Sequence, residues 1–270
     1  MDSSDQLPTL TPADIERPSP ARIYDYWLGG SNNFAADREV AERAAAVMPT
    51  LRNAIWANRA FLRRVVKHLV TEYGVTQFLD LGSGVPTVGN VHEIAQENNP
   101  DSRVLYVDID PVAVAHGHSL LADNPNAGVI HADLRHPEQV LEHPLAAQLL
   151  DFSKPVAMLM IAVLHFMPDE DKPGEIVHAY RDALSPGGFL ALSHAAPDLA
   201  HPDEQAGMID DYQRSTRVQF IHRTPEQLTA WLDGFTIEPP GIVQVNEWRP
   251  DAEVNQNILR TYGLLARKNG

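Results

Sequence analysis

The sequence predicts a doubly wound α/β sheet of parallel strands behind an N-terminal helical cap. Three observations lead to this fold class. Short apolar segments alternate with helical patterns from Gly74 onwards, a glycine turn follows the first of these segments, and only helical periodicity precedes Gly74. Repeated strand–helix units form parallel sheets with right-handed crossovers. Such sheets bind ligands at the carboxyl ends of their strands, where the strand order reverses.

The chain has 270 residues, of which 44% are apolar, and this predicts one large domain with an added element. Residues 1–17 are polar, contain several prolines and show no periodicity, so we expect a flexible tail. Residues 18–74 are predicted to form the cap, and residues 75–270 the ligand-binding domain.

The cap is predicted to contain three helices. The first has Ser19 as its N-cap and Pro20 as its first residue, and it ends at the Gly29-Gly30 pair. The second begins near Asp37, and the third covers residues 51–73, where apolar residues recur at helical spacing.

The sheet is predicted from five apolar segments that are separated by helices. Two further helices are expected near 203–217 and 225–233, and the chain should close with an antiparallel pair at 235–245 and 262–268. The five predicted strands are 76–81, 103–108, 127–132, 155–162 and 188–194.

Charge and composition limit the possible partners. The net charge of −15, from 36 acidic and 21 basic residues, argues against a nucleic-acid partner, since such proteins carry basic surfaces. The longest apolar run, residues 156–167, is shorter than the ~18 residues that a membrane span needs, so no membrane association is expected. The absence of cysteine fits a cytoplasmic location. The sequence gives no indication of oligomeric state.

The turn Asp80-Leu81-Gly82-Ser83-Gly84 is half of a dinucleotide fingerprint. The third glycine of G-x-G-x-x-G is replaced by Thr87, and Asp80 would lie close to a pyrophosphate. A ligand with an amine and a ribose but no pyrophosphate suits this turn better. S-adenosylmethionine (SAM) is such a ligand, and a nucleotide-dependent oxidoreductase becomes the weaker alternative.

Three acidic residues end successive predicted strands, and each is separated from the next by one strand–helix unit. Asp108 is placed to accept both ribose hydroxyls, Asp133 the adenine amino group, and Asp80 the methionine amine, directly or through water. Ile109 and Leu134, which follow two of these acids, are assigned to the same cofactor site. A single such aspartate is more often a turn former or helix N-cap, but a set of three beside Gly-x-Gly is harder to explain in that way.

Asp80-Leu81-Gly82-Ser83-Gly84, Asp108 and Ala132-Asp133 resemble class I SAM-dependent methyltransferases over about residues 75–195. The resemblance implies a Rossmann-like sheet of seven strands with the last antiparallel, SAM as cofactor and S-adenosylhomocysteine as product. It does not name the acceptor. Flanking segments are similar to an actinobacterial S-adenosyl methyltransferase family formerly described as a domain of unknown function: residues 22–30, 33–38, 58–62, 106–111, 164–166 and 192–194.

Candidates for the remaining roles lie in the cap and after the fourth and fifth strands. Arg59 is predicted to bind the methionine carboxylate, and Tyr24 and Asn33 to cover the pocket. His165 and His194 are candidate general bases. Each of these residues has a structural alternative. Arg59 could be an exposed or ion-paired arginine, Tyr24 a core residue and Asn33 a loop cap. The two histidines could line the pocket without taking part in the reaction.

No metal site is predicted, because the histidines are scattered and His92-Glu93 lacks the second histidine of a His-Glu-x-x-His motif. The sequence therefore predicts a SAM-dependent methyltransferase that acts on an unidentified, small-molecule acceptor. The alternative is a SAM- or S-adenosylhomocysteine-binding sensor without catalysis.

Overall fold

The structure is a computed structural model that describes residues 10–270. Within this range, four α-helices precede the sheet, and seven further α-helices lie between or after its strands. In chain order they are α1 Pro12–Glu16, α2 Pro20–Trp27, α3 Ala35–Val47, α4 Leu51–Tyr73, α5 Val91–Asn98, α6 Pro111–Leu121, α7 Pro137–Leu141, α8 Pro144–Leu149, α9 Pro173–Ala183, α10 Pro202–Thr216 and α11 Pro225–Thr229. Residues 1–9 of the predicted tail lie outside the described residues, and α1 lies within the rest of it.

The strands form one mixed sheet in the order β3-β2-β1-β4-β5-β8-β6, with β7 pairing on β8. Strands β1 to β5 are parallel, and β8 runs antiparallel to β5, β6 and β7. The bounds are β1 Gln77–Leu81, β2 Arg103–Asp108, β3 Ala127–His131, β4 Ala157–Ile161, β5 Phe189–Ala195, β6 Phe235–Ile237, β7 Val243–Gln244 and β8 Thr261–Lys268.

This topology confirms the predicted fold class, including the antiparallel last strand. The predicted number of seven strands is wrong, because the described residues contain eight. The additional strand is β7, whose two residues pair with Gly263 and Tyr262. It arises because the predicted strand 235–245 is interrupted: β6 ends at Ile237, and Pro239, Pro240 and Gly241 follow before β7 begins. No helix among the described residues is both long enough and apolar enough to cross a membrane.

Alternation along β1 determines where its side chains point. Leu79 and Leu81 belong to the core on one face of the sheet, and Phe78 belongs to the core on the other face, together with residues of α4 and α5. Because successive strand residues face opposite sides, Asp80 lies on the Phe78 face. That face is covered by α4, the helix that carries Arg59.

A buried ion-pair network joins the cap to the sheet. Arg22 of α2 is 2% exposed and donates to Asp37 of α3 and to Asp110, each at 2.9 Å. Asp110 is also the N-cap of α6, where it accepts from the backbone N–H of Val112 at 2.8 Å. Removing one partner would leave another buried charge uncompensated, so this network fixes α2 against the end of β2.

Candidate active site

A cavity of about 570 Å³ lies at the carboxyl ends of the parallel strands. It is bounded by the glycine turn after β1 and the loop after β4, which are the two neighbouring strands where the chain order reverses. Helices α2, α4 and α10 enclose it from the cap side. The two strand ends are in close contact, since a Cβ on Gly82 would lie 2.3 Å from the Val163 side chain.

The structure brings most of the predicted site residues together in the wall of this cavity. Two of them lie elsewhere: Asn33 and His194 are not among the lining residues. The predicted residues that line the cavity are Tyr24, Arg59, Asp80, Gly82, Ser83, Gly84, Asp108, Ile109, Asp133, Leu134 and His165.

Asp80 and Arg59 face the cavity from opposite elements without bonding to each other. Burial raises the pKa of Asp80 to about 7. The nearby positive charge of Arg59 lowers this pKa, and the negative charge of Asp108 raises it. No described residue donates a hydrogen bond to the Asp80 carboxylate, and the buried Arg59 Nε has no hydrogen-bond partner. The Arg59 guanidinium lies 5.8 Å from the Tyr24 ring centroid. An acid and a base that are both unpaired suit a zwitterionic ligand.

Asp108 supports the glycine turn as well as lining the cavity. Its carboxylate accepts from the backbone N–H of Gly84 at 2.7 Å and from that of Asp110 at 2.8 Å. Burial raises the pKa of Asp108 to about 6, and these backbone hydrogen bonds oppose that rise. Each carboxylate oxygen has a second lone pair, so Asp108 can accept from hydroxyl groups in the cavity.

Asp133 lines the cavity but is already strongly bonded. Both of its oxygens accept from Arg135, at 2.6 to 3.0 Å, and Arg135 also donates to Asp171 at 3.1 Å. Burial raises the pKa of Asp133, but the Arg135 hydrogen bonds outweigh it and the net pKa is below the usual value. An adenine amino group would therefore share these oxygens with Arg135.

Asn33 instead belongs to a buried cluster around Asp25, a residue that the sequence did not single out. Asp25 is 1% exposed and accepts from Asn33 Nδ2 at 2.8 Å and from Thr87 Oγ1 at 2.7 Å. Thr87 occupies the position of the missing third glycine, so the departure from the fingerprint ties the glycine loop to the cap. Gly30 is required beside it, because a Cβ there would lie 2.0 Å from Asp25 Oδ1.

His194 has both ring nitrogens occupied within the protein. Its Nδ1 lies 2.8 Å from the Ala195 carbonyl oxygen, and its Nε2 lies 3.3 Å from Nη1 of the buried Arg223. Burial lowers the pKa of His194 to about 4, so it is neutral near pH 7. Arg223 also donates to the carbonyls of Leu164 and Met167 and so holds the loop that carries His165. His194 and Arg223 thus act as supports for that loop.

His165 lines the cavity itself. Burial, the nearby histidines His194 and His222, and Arg223 hold its pKa well below the usual value. Its Nδ1 lies 3.5 Å from the backbone nitrogen of Ala195, at the outer limit of a hydrogen bond. A neutral His165 with this bond carries its proton on Nε2.

The cavity fits SAM in volume and in chemistry. About 570 Å³ lies within the range of ~300–1,000 Å³ typical of sites for small molecules. Arg59 and Asp80 would hold the methionine carboxylate and amine, and Asp108 the ribose. Ile109 and Leu134 would pack against the adenine, with Asp133 at its amino group. Gly82 and Gly84, both at positive φ, keep Cβ atoms away from the ligand path.

Comparison with known proteins decides the family. Residues 8–269 match the profile of a family described as S-adenosyl methyltransferase. The chain belongs to this family. SAM is accordingly its cofactor, and the resemblance found in the sequence is confirmed. No curated protein matches the chain.

Solved structures agree with this assignment. A Thermobifida fusca protein assigned as a methyltransferase is 39% identical, with a TM-score of 0.89 over 97% of this chain and 100% of the other. A DUF574 family protein from Streptomyces avermitilis is 37% identical, with a TM-score of 0.89 over 94% and 99%. A Burkholderia thailandensis 1,6-didemethyltoxoflavin-N1-methyltransferase shares the fold alone, at 17% identity and a TM-score of 0.51 over 87% and 91%.

Several residues of the site were missed from the sequence. His222 lines the cavity, but it lies in a segment without secondary structure between α10 and α11. Phe166, Tyr212 and Phe220 also line it, and they belong to or pack against an apolar cluster with residues of α2 to α4. Within residues 10–270, no group of three or more histidine, aspartate or glutamate side chains is placed to hold a metal ion.

Proposed function

We propose that this member of the S-adenosyl methyltransferase family transfers the methyl group of SAM to a small-molecule acceptor. The observation that carries the proposal is that Arg59 and Asp80 line the same cavity without bonding to each other. The Asp80 carboxylate accepts no hydrogen bond from a described residue, and the buried Arg59 Nε has no hydrogen-bond partner. The cavity extends beyond the cofactor residues to apolar residues of α10 and of the segment 217–222, which leaves room for a second molecule. A protein or nucleic-acid acceptor would need a more open groove. The cytoplasmic location and the lack of a nucleic-acid partner stay predictions.

SAM supplies an electrophilic methyl group on a sulfonium, and the residues of this chain would align an acceptor with it. Arg59 and Asp80 fix the methionine end, and Asp108 fixes the ribose, so the methyl group is held in one position in the cavity. Helices α2, α4 and α10 line the cavity and would limit the access of water to that position. Alignment of this kind is the main requirement for an in-line displacement.

The experiment that tests this function is transfer of a labelled methyl group into a small-molecule metabolite extract. We expect the purified protein to bind SAM in calorimetry and to place label in at least one compound of low molecular mass. SAM binding without label in any component would favour the sensor instead. Label in protein or nucleic acid alone would contradict the small-molecule acceptor.

Arg59→Ala is expected to weaken SAM binding at least about tenfold, which corresponds to ~1.4 kcal/mol. The reason is the loss of a charge-assisted hydrogen bond to the methionine carboxylate, with no protein ion pair lost in the free enzyme. Calorimetry with wild type and variant gives the comparison. The matched control is Arg63→Ala on the same helix, where the exposed Arg63 pairs with Asp251 at the surface and SAM affinity should be unchanged. Equal affinity of Arg59→Ala and wild type would remove Arg59 from the site.

A further inference from the structure

Part of the cavity is lined by a continuous group of rings that the cofactor does not require. We call this group the aromatic wall. Neighbouring ring centroids in it lie 4.3 to 6.4 Å apart. None of the rings belongs to the strand ends that carry Asp80, Asp108 and Asp133. The members of the aromatic wall are His165, Phe166, Tyr212, Phe220 and His222.

The aromatic wall carries no net charge near pH 7. Burial lowers the pKa of His222 to about 4, and the pKa of His165 is held well below its usual value. Both imidazoles are therefore neutral, and the other three rings are those of Phe166, Tyr212 and Phe220. A charged group placed against these rings would be desolvated without a counterion from the aromatic wall itself. Flat aromatic ligands, in contrast, gain stacking and edge-to-face contacts with such rings beyond the burial of their area.

The two histidines of the aromatic wall differ in what they offer a ligand. His165 Nδ1 faces the backbone N–H of Ala195, which leaves Nε2–H as a donor. His222 has no hydrogen-bond partner on either nitrogen within residues 10–270, although its ring packs 5.5 Å from that of Phe220. A neutral imidazole always has one nitrogen with a free lone pair. His222 is thus the cavity histidine that can accept a proton from a bound molecule.

We propose that the aromatic wall binds the methyl acceptor, that this acceptor is a planar aromatic molecule with a phenolic hydroxyl, and that His222 takes the hydroxyl proton. The proposal rests on the proposed methyltransferase function and adds the acceptor class and the base. A hydroxyl is favoured over an amine because a neutral hydroxyl oxygen is a weak nucleophile that gains from removal of its proton by a base, whereas a neutral amine nitrogen is nucleophilic without a base.

A lone pair of the acceptor oxygen forms the bond to the methyl carbon while the carbon–sulfur bond breaks, and its electron pair remains on sulfur. The hydroxyl proton passes to the free nitrogen of His222 and then to solvent. A weakly basic imidazole suffices, because the oxygen–hydrogen bond becomes far more acidic as the oxygen–carbon bond forms.

Binding is tested first, on the full chain saturated with S-adenosylhomocysteine. The probe is 2-naphthol, and the control is decahydro-2-naphthol, which has the same carbon skeleton and hydroxyl group but no aromatic ring. Calorimetry should show 2-naphthol binding at least about tenfold more tightly than the control. Phe220→Leu should weaken 2-naphthol binding about fivefold without changing the affinity for S-adenosylhomocysteine. Equal binding of the two alcohols would overturn the acceptor class.

The base is tested with labelled methyl transfer to 2-naphthol. His222→Ala is expected to bind 2-naphthol within about twofold of wild type and to transfer methyl at least about 100-fold more slowly. Added imidazole should restore part of the rate in His222→Ala and leave wild type unchanged, which a structural role of His222 would not produce. The matched control is the exposed His116 in α6, where His116→Ala should behave as wild type.

The two levels of the proposal fail in different ways. If the wild-type protein does not bind SAM, the methyltransferase function itself is wrong. If it binds SAM but neither binds nor methylates 2-naphthol, only the acceptor class is wrong. If His165→Gln loses transfer while His222→Ala keeps it, His165 is the base and the assignment of His222 is overturned.

Discussion

Asp80→Asn is expected to reduce SAM affinity at least about 100-fold, equivalent to ~2.7 kcal/mol, and to raise the melting temperature of the cofactor-free protein. Binding is lost because a neutral amide cannot attract the methionine ammonium group as a carboxylate does. Stability is gained because the buried Asp80 receives no hydrogen bond from the described residues. Its ionised form is therefore costly in the folded state, which is why its pKa is raised to about 7.

The sign of the stability effect follows from proton binding. Between the unfolded pKa of 3.8 and the folded pKa of about 7, the folded Asp80 holds a proton that the unfolded chain releases. The free energy of unfolding of wild type therefore falls as the pH rises through this window. Above pH 7 the stabilisation that comes from protonated Asp80 is lost. The Asp80→Asn advantage should thus be small near pH 4 and largest at pH 7 and above. Thermal melts of both proteins across this pH range measure it.

The same titration should appear in cofactor binding. Below pH 7 the wild-type Asp80 becomes protonated, so SAM affinity should fall by up to about tenfold per pH unit. Asp80→Asn should lack this fall between pH 7 and the Asp108 pKa of about 6. The control is Asp101→Asn, at an exposed turn residue before β2, which should change neither the melting temperature nor the affinity. A wild-type affinity that stays constant from pH 8 to pH 6 would contradict the role of Asp80 as the ammonium partner.

The elements that the sequence predicts correctly are those specified by local patterns. α4 begins and ends where periodicity predicts, at Leu51 and Tyr73, because its apolar face is continuous and Gly74 adopts the left-handed conformation that ends a helix. The ends of β1 and β2 were predicted for the same reason, since buried apolar residues precede Asp80 and Asp108. Parallel topology then requires these carboxylates to share one edge of the sheet.

The features that were missed depend on contacts between distant segments. Thr87 is conspicuous in the sequence only as a missing glycine, yet it donates to Asp25, 62 residues earlier in the chain. Strand β7 has two residues and no periodicity of its own, and it exists only because β8 lies beside it. His222 is a further example, because its neighbours in the sequence do not distinguish it from the other histidines. Its role depends on a cavity that several distant elements form together.

The Asp108 carboxylate stabilises the glycine turn in addition to its proposed contact with the ribose. It accepts from the backbone N–H groups of Gly84 and Asp110, so Asp108→Ala leaves two donors without their partner. We expect Asp108→Ala to weaken SAM binding at least about 100-fold, while far-ultraviolet circular dichroism shows a retained fold. Loss of affinity alone would not separate a ribose contact from a displaced glycine turn.

A ligand without ribose hydroxyls distinguishes a lost ribose contact from a displaced glycine turn. Wild type should bind 2′,3′-dideoxy-S-adenosylhomocysteine more weakly than S-adenosylhomocysteine by at least about tenfold, since both hydroxyl groups lose their acceptor. If Asp108 is that acceptor, Asp108→Ala should bind the two ligands with equal affinity, measured at concentrations high enough to detect weak complexes. This thermodynamic cycle isolates the interaction between the carboxylate and the hydroxyls, because the displaced turn affects both ligands alike. If the variant still prefers the ribose hydroxyls tenfold, another group binds them and Asp108 serves only the turn.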